Sequence, residues 1–369
     1  MNFLKIIFVV AVSLMTLSLS ATQTASIGKA TSAPVIDGNP DDPCWKYTQE
    51  LTGMTIPVRL VYAKEQTSLR LCYDRQKLYG FVRCFQKNTS KMPVGSKMHD
   101  DLMFWKGNCV EMFFLAKRPK LESDFNLKQI SFNAEGTVFD GHFVKINGES
   151  KGSNEAWESG IRLVAKKHSD HWDVEFSVPW KNIGITPETG NSFIFNFIRS
   201  NPANREQSSW SRLEKYSWHQ PIMFGEVKIL NQVNGFVFKE LPLLNPASKF
   251  CLKIESQPDV ESILKLDVCK HPVKFKKKNG NIIEFSYRVP SKTKEPSYCR
   301  LTVSNGKEQL YSFIYQPVEE YIYVSINNLV NDKKLFLSGF TPALVTWNSR
   351  HSFPVTGAPG GTVKNDFEI

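Results

Sequence analysis

Short stretches in which apolar and polar residues alternate recur along most of the chain, and they restrict its fold more than any other feature. The clearest stretch is 172–178, where the apolar positions are Trp172, Val174, Phe176 and Val178. Successive side chains of a strand point to opposite faces, so this pattern predicts a half-buried strand. Helical periodicity is weak throughout, apart from one short turn after this strand. We therefore predict an all-β chain built from antiparallel β-sandwiches.

A β-hairpin is predicted at residues 69–84, where two alternating segments are joined by the polar residues 74–77. If the turn closes there, Cys72 faces Tyr79 across the two strands. Side chains alternate along the second strand, so Cys84 lies on the opposite face. We therefore expect no disulfide bond between Cys72 and Cys84.

Changes in composition divide the 369 residues into five segments. Since domains commonly contain about 150 residues, two or three domains fit this length. We predict a signal peptide at 1–20, a larger β-sandwich at 33–230, a linker at 231–246, a second and smaller sandwich of immunoglobulin-like pattern at 247–353, and a loose tail at 354–369. The linker is assigned from its closely spaced prolines and from the change in pattern beyond it.

The first segment has the three-part layout of a secretory signal peptide. Lys5 precedes an apolar run at 6–19, and small residues at 18–21 suit a signal peptidase. The run is shorter than the ~20 residues that cross a bilayer, which favours cleavage over anchoring. We predict an exported protein, secreted or periplasmic, with no transmembrane segment and with a loose leader at 21–31.

The net charge of +10, from 46 Lys and Arg against 36 Asp and Glu, indicates a solvated basic surface. Apart from Lys276–Lys278 no basic block stands out, and no nucleic-acid fingerprint lies beside it, so we expect no nucleic-acid partner. The seven cysteines include no C-x-x-C pair, the spacing of a zinc or redox site. Protein partners are not indicated by the sequence.

Eight short motifs follow one another between residues 33 and 230. They are Ile36-Asp37-Gly38 with Trp45; Tyr73-Asp74 with Leu78-Tyr79; Trp105; Val110-Glu111 within 109–113; Gln129 with Asn133 and Gly136; Trp172 with Glu175 and Pro179-Trp180; Asn196-Phe197 with Arg199; and Trp210, Trp218 and Phe224-Gly225. Each motif is weak alone, but their order is fairly specific. In this order they resemble the family 9 carbohydrate-binding modules.

The resemblance implies an antiparallel β-sandwich that holds glucose- or xylose-based sugars in a slot between two tryptophan rings. By the same resemblance the rings are Trp105 and Trp218, with Glu111 accepting from a sugar hydroxyl and Asn133 able to donate and accept. Flat rings cover the apolar C–H faces of a pyranose, and polar side chains beside them satisfy its hydroxyls. The expected partner is a polysaccharide or an oligosaccharide.

Three positions depart from the family pattern. Ser131 stands where sugar-binding members have an arginine, so a charged donor is absent. Asn108-Cys109 replaces an Asp-Ser pair, and 215–217 lacks the asparagine that precedes the second slot tryptophan. A different sugar or weaker binding is expected from these changes. The candidate ligand-binding residues are Trp105, Glu111, Ser131, Asn133 and Trp218.

The candidates also have purely structural interpretations. Trp105 and Trp218 lie in less regular sequence, which is typical of ligand-facing loops, but either ring would also pack beneath a loop. Glu111 lies in an apolar strand, so its carboxylate needs a partner. A sugar hydroxyl or an ion pair with Arg199 would supply that partner. Trp172 is assigned to the core because it shares a face with three apolar residues.

The predicted function is non-catalytic carbohydrate binding that assists polysaccharide degradation or capture, without a cofactor. No Ser-His-Asp arrangement or G-x-S-x-G elbow suggests an enzyme. Four alternatives stay open: a structural or surface-assembly sandwich that has lost its ligand, an accessory domain of a glycoside hydrolase, a hydrolase that itself acts on O-glycosyl bonds, and a haem-binding relative. The possible haem ligands are Met98, His99, Met103 and His142, and their spacing selects none of them. His99-Asp100-Asp101 is interpreted as a solvated loop, although loop carboxylates in an exported sandwich also suit structural calcium.

Overall fold

The structure of the protein is a computed structural model. It describes residues 23–46, 48–58, 62–120, 124–154, 156–213, 217–231, 236–240, 249–256, 264–268, 271–278, 280–288, 299–305, 308–315, 322–325, 344–345 and 352–356. The signal peptide predicted at 1–20 lies outside these residues. Among the described helices, none is long and apolar enough to cross a membrane.

Up to residue 230 the described chain is almost entirely strand and turn. The strands are β1 (Thr24–Lys29), β2 (Glu50–Leu51), β3 (Thr67–Tyr73), β4 (Lys77–Phe85), β5 (Cys109–Leu115), β6 (Phe125–Asn133), β7 (Val138–Ile146), β8 (Glu149–Asn154), β9 (Arg162–Lys167), β10 (His171–Pro179), β11 (Ser192–Asn201), β12 (Glu206–Ser209) and β13 (Gly225–Leu230). One short helix, α1 (Trp180–Ile183), follows β10, and 3-10 turns lie at Pro43–Trp45, Thr89–Lys91, Leu102–Lys106, Pro202–Asn204 and Pro221–Met223. The all-β prediction is confirmed.

The strands form two antiparallel layers. One layer has the order β2-β3-β4-β10-β9, and the other has the order β13-β11-β5-β6-β7-β8. Alternate side chains of both layers meet in one apolar cluster, as Met112 of β5 and Trp172 and Phe176 of β10 illustrate. Trp172 is fully buried, as predicted. The fold is therefore the expected antiparallel sandwich.

Strand β1 corrects the prediction of a loose leader at 21–31. It pairs in parallel with β13 and then with β3, so it joins the edges of the two layers. Ala25 and Ile27 are buried in the common core. Two modest apolar side chains among small polar residues give too weak an alternation to be recognised in the sequence.

Strands β3 and β4 confirm the hairpin predicted at 69–84, with Cys72 opposite Tyr79. The carboxylate of Asp74 accepts two backbone N–H groups and closes the turn. Cys72 packs beside Tyr79 in a small cluster, whereas Cys84 lies in the main core. Both are free thiols, as the register predicts.

Glu175 of β10, one of the motif carboxylates, has a structural role. Its Oε2 accepts the backbone N–H groups of Asp37 and Gly38, and its Oε1 accepts the indole N–H of Trp45, each at 2.9 Å. Gly38 has a φ of 82°, in the left-handed region that glycine enters without steric cost. These bonds fix the first motif of the sequence against β10.

Beyond residue 230 the described residues form smaller sheets. The strands are β14 (Phe236–Glu240), β15 (Lys249–Ser256), β16 (Leu264–Val268), β17 (His271–Val273), β18 (Phe275–Lys278), β19 (Ile282–Arg288), β20 (Cys299–Asn305), β21 (Glu308–Tyr315), β22 (Ile322–Ser325), β23 (Leu344–Val345) and β24 (Ser352–Thr356). Strands β14-β15-β19-β18 form one sheet, β17-β16-β20-β21 pair in that order, and β22-β24-β23 form a third set. Buried residues of β15, β16 and β19 pack together, in agreement with a second sandwich.

Two strands bear on the predicted domain limits. β14 lies inside the predicted linker 231–246 and pairs with β15, so this part of the span is a strand of the second unit. β24 reaches into the predicted tail 354–369 and pairs with β22. The separation into two domains stays a prediction.

Candidate functional site

A cavity of ≈ 350 Å³ lies on the face of the second layer that points away from the sandwich core. Its lining residues are Trp105, Glu111, Gln129, Phe139, Gly141, Phe143, Ser200, Gln207, Trp218 and His219. Three of the five predicted site residues, Trp105, Glu111 and Trp218, are therefore brought together. The fold therefore places the rings of Trp105 and Trp218, which are far apart in sequence, beside the same cavity.

Alternation along neighbouring strands builds the floor of this cavity. On β5 the side chains of Val110 and Met112 point into the main core, so Glu111 and Phe113 point the other way. Glu111 lies opposite Ser131 of β6 on one side and opposite β11 on the other. Glu111 thereby projects from a central strand of the layer towards the cavity.

Trp105 is carried by the 3-10 turn Leu102–Lys106, which comes directly before β5. Asp101 caps this turn, since its Oδ1 accepts the backbone N–H of Met103 at 2.9 Å. The half-buried indole meets Phe104 edge-on, with centroids 4.9 Å apart, and lies 5.0 Å from the ring of Phe139. Trp105 therefore packs on its neighbours and also faces the cavity, so the two interpretations of this ring are compatible.

Trp218 also lines the cavity, but it lies near the C-terminal end of the first sandwich, shortly before β13. It is half-buried and packs against the apolar cluster that contains Phe113 and Phe224. The backbone N–H of Gln220 donates to the carbonyl of Trp218 at 3.0 Å, and the Gln220 amide donates to the carbonyl of Ser217 at 2.6 Å. These bonds hold the segment that carries the ring in a tight turn beside the cavity.

A chain of hydrogen bonds crosses the floor from Glu111 to His219. The amide Nε2 of Gln129 donates to Glu111 Oε2 at 2.8 Å, and Gln129 Oε1 lies 3.3 Å from His219 Nε2. Because an amide oxygen only accepts, the imidazole carries its proton on Nε2. The ring of His219 also packs against Phe143, with centroids 4.8 Å apart.

Desolvation shifts the pKa values of the two residues at the ends of this hydrogen-bonded series. Glu111 is 5% exposed, and desolvation raises its pKa to about 8. Desolvation lowers the pKa of His219. At neutral pH Glu111 is therefore largely a neutral acid that both donates and accepts, and His219 is a neutral imidazole. The floor of the cavity is polar but uncharged.

Ser131 and Asn133 do not line the cavity. Ser131 is fully buried next to Glu111 and accepts from the Gln129 amide at 3.2 Å. The amide of Asn133 is bonded to backbone groups, donating to the carbonyl of Ser96 and accepting from the N–H groups of the turn after β6. Asn133 thus stabilises a turn, and Ser131 supports the floor from beside it.

The ion pair considered between Glu111 and Arg199 is wrong. Arg199 is 1% exposed and points to the other side of the layer, where it donates to the carbonyl of Phe85 at 2.6 Å and to Gln86 Oε1 at 2.9 Å. Its role is to hold the end of β4 against β11. The Glu111 carboxyl is left facing the cavity.

A second hollow of ≈ 440 Å³ adjoins the first and shares Trp105, Ser200 and Gln207 with it. Arg205 and Glu206 line its far side. Trp105 therefore borders both hollows.

Gln129 and His219 are members of the site that the sequence did not predict. Gln129 belongs to one of the motifs, and its position two residues before Ser131 places it on the same face of β6. His219 directly follows Trp218, which was the available signal. The aromatic residues of β7, Phe139 and Phe143, carried no such signal because their strand was not recognised.

Among the residues that the structure describes, two clusters of potential metal ligands lie outside the cavity. One contains His99, Asp140 and Glu158, and the other contains His168, His171 and Asp173; in each, the ligand atoms lie within 4.8 Å of one another. The carboxylate of Asp173 is already paired with the guanidinium of Arg83 at 2.8 and 2.9 Å. His99 is about half exposed, as expected of a loop at 99–101, and it also lies close to the carboxyl groups of Asp140 and Glu158.

The residues considered as haem ligands have other surroundings. Met98 and Met103 are exposed. The ring of His142 is bonded to Asn126 at 2.7 Å and lies near Trp157. None of these contacts favours haem binding.

Comparison with known proteins identifies a family. The family model of the carbohydrate family 9 binding domain-like proteins matches residues 36–232. No curated protein matches the chain in sequence.

Solved structures with similar chains include two of a family 9 carbohydrate-binding module from Caldicellulosiruptor kristjanssonii. The complex with glucose is 16% identical, with a TM-score of 0.39, and the complex with cellotriose is 16% identical, with a TM-score of 0.40; each covers 60% of this chain and 100% of its own. A Bacteroides uniformis protein to which carbohydrate binding has been ascribed is 14% identical, with a TM-score of 0.45, over 56% of this chain and 100% of its own.

The family match spans more than half of the 369 residues and contains strands β2 to β13, the cavity and both cavity tryptophans. The chain therefore belongs to the carbohydrate family 9 binding domain-like family.

Proposed function

We propose that the chain is an exported, non-catalytic module that binds an uncharged saccharide in the cavity between Trp105 and Trp218. Binding there serves the capture or degradation of a polysaccharide. Export is inferred from the signal-peptide pattern of residues 1–20. The observation that carries the proposal is the convergence of Trp105, Glu111 and Trp218 on one cavity of ≈ 350 Å³.

The lining chemistry supports a saccharide. Two half-buried indoles supply apolar surface for the C–H faces of a pyranose. Glu111, Gln129 and His219 supply donors and acceptors at the floor, all within one hydrogen-bonded chain. Since these groups are uncharged near neutral pH, an uncharged sugar suits them better than a uronic acid.

The carboxylates support a binding role over hydrolysis. Glu111 is the one carboxylate among the described lining residues of the main cavity. Glycoside hydrolysis generally needs a pair of carboxyl groups about 5–10 Å apart that flank the scissile bond. Glu206 lines the adjoining hollow, but its Oε2 accepts the backbone N–H of Lys64 at 3.1 Å.

A structural sandwich that has lost its ligand is the competing function, and Ser131 is the observation that favours it. An arginine at this position would place a charged donor beside Glu111, which lies opposite Ser131. In this chain the Gln129 amide takes that place with a neutral donor. The proposal therefore requires that neutral donors are sufficient to hold the hydroxyl groups of a bound saccharide.

Calorimetry of the full chain against short gluco-, xylo- and galacto-oligosaccharides tests the proposal. Covering one face of a pyranose contributes about 1–2 kcal/mol, so Trp218→Ala should weaken binding roughly 5- to 30-fold. Its midpoint of thermal unfolding should change little, because the ring is half exposed. Trp172→Ala is the control, since loss of a fully buried ring should cost about 3–5 kcal/mol of stability.

Two results would contradict the proposal. One is the absence of heat with every oligosaccharide at millimolar concentration, which favours the structural sandwich. The other is a Trp218→Ala variant that unfolds at a much lower temperature while its folded fraction binds sugar as before. In that case Trp218 is a packing residue and no slot exists.

A further inference from the structure

We propose that His99, Asp140 and Glu158 form a site for one divalent transition-metal ion of the Zn²⁺ type. The residues come from three separate segments: the loop before the Trp105 turn, strand β7, and the loop between β8 and β9. Their potential ligand atoms all lie within 4.8 Å of one another. The site lies outside the cavity, and its existence does not depend on the proposed function.

The separation of two of the ligands matches that around a single ion. His99 Nε2 lies 3.3 Å from Glu158 Oε2. Two ligands bound to Zn²⁺ at about 2.0–2.2 Å are about 3.0–3.4 Å apart at octahedral or tetrahedral angles. One imidazole with two carboxylates is a ligand set that zinc accepts, whereas calcium takes about six to eight oxygen ligands.

Asp140 provides an independent observation. The residue is 1% exposed, and its Oδ2 accepts the backbone N–H of Ser159 at 2.9 Å and its hydroxyl at 2.8 Å. Its Oδ1 is buried and has no hydrogen-bond partner among the described residues. A buried carboxylate oxygen without a partner is costly, and a cation beside it removes that cost. The two bonds from Ser159 fix the carboxylate, as outer-shell donors do in metal sites.

The local charge also favours a cation. Asp100 lies beside the cluster, with its Oδ2 at 3.3 Å from His99 Nε2 and its Oδ1 accepting the backbone N–H of Asp140 at 2.8 Å. Three carboxyl groups thus surround one imidazole. A divalent ion neutralises this excess, while a single protonated histidine does so only in part.

The position of the site links it to the cavity. His99 is three residues before the 3-10 turn that carries Trp105, and Asp140 directly follows Phe139, whose ring packs on Trp105. An ion bound here ties the Trp105 segment to β7. We therefore expect the metal to raise thermal stability and, if the proposed function holds, to strengthen saccharide binding.

Titration of the metal-free full chain with ZnCl₂ or CaCl₂ by calorimetry tests the site. The His168→Ala background removes the second histidine cluster as a competing site. We expect one Zn²⁺ per chain, at least tenfold weaker binding after His99→Ala or Asp140→Asn, and no change after His142→Ala. His142→Ala is the matched control, because it removes an imidazole two positions from Asp140 without touching the cluster.

Three results would overturn the site: no Zn²⁺ binding, Zn²⁺ binding that His99→Ala leaves unchanged, or Ca²⁺ binding as tight as Zn²⁺ binding. His99 is half exposed, so its replacement should leave the fold intact, and the thermal midpoint of the metal-free variant checks this. Oligosaccharide calorimetry with and without Zn²⁺ separates the two proposals. Zn²⁺ binding without sugar binding supports the site and contradicts the proposed function, and sugar binding without Zn²⁺ binding does the reverse.

Discussion

Glu111 should make the stability of the protein fall as the pH rises, and Glu111→Gln isolates this effect. The side chain is 5% exposed, and burial raises its pKa from 4.5 to about 8. Since the folded-state value lies above the unfolded one, the folded protein keeps this proton over the interval between them. The resulting stabilisation is complete below pH 4.5 and is lost as the pH rises through about 8.

The size of the effect follows from the shift. One pH unit in this interval corresponds to about 1.4 kcal/mol. Between pH 5 and pH 7 the wild-type protein should therefore lose on the order of 2–3 kcal/mol relative to the variant. Glutamine keeps the shape of the side chain, and its amide oxygen can accept the bond that Gln129 donates to Glu111, so the variant should fold normally.

Urea unfolding of the full chain at pH 5, 6, 7 and 8, followed by tryptophan fluorescence, gives the difference between variant and wild type. Subtracting the wild-type profile from that of the variant removes the contribution of every group that titrates equally in both proteins. One such group is Asp140, since burial raises its pKa to about 6. Glu149→Gln is the control, because this carboxylate is exposed and should add no pH dependence. Parallel pH profiles for wild type and Glu111→Gln would refute the reasoning, since they would mean that Glu111 is hydrated and ionised in the folded state.

Three further predictions concern the fold. Gly80→Ala would place a Cβ 2.1 Å from the ring of Phe176, so we expect a loss of at least about 1–3 kcal/mol, and an unchanged thermal midpoint would contradict the close packing. Arg83→Ala would leave the carboxylate of Asp173, 1% exposed, without its guanidinium, so urea unfolding should reveal a loss of about 3 kcal/mol; Arg83→Lys should recover part of it. Limited proteolysis should cut first within 231–246, outside the paired strand β14, and release fragments of roughly 200 and 120 residues; first cuts inside the first sandwich would argue against the domain boundary.

The sequence predicted the strands and the core because alternation is a local property. Trp172 and Phe176 share a face whatever strand lies beside them, so their burial could be inferred without knowing the topology. The turn at 74–77 likewise fixed the register of its hairpin and the separation of Cys72 from Cys84. Trp105 and Trp218 were found through the order of motifs, since neither lies in a regular pattern.

The partners of each side chain were decided by tertiary structure alone. Alternation placed Glu111 on one face of β5, but which residues lie opposite depends on strand neighbours that come from distant parts of the chain. For that reason Arg199 was considered as its partner, whereas Gln129 and His219 complete the floor. The strand at 24–29 was missed because only its pairing with β3 and β13 gives it a place in the sheet.

The cluster of His99, Asp140 and Glu158 illustrates the same limit. Its three members lie in a loop, a strand and a second loop, with no spacing that marks them as a set. Metal sites assembled from separate segments leave no fixed sequence interval, because the fold rather than the chain sets the distances between ligands. The sequence thus determined which faces are apolar and which family the chain resembles, and only the packing of distant strands decided which polar groups meet.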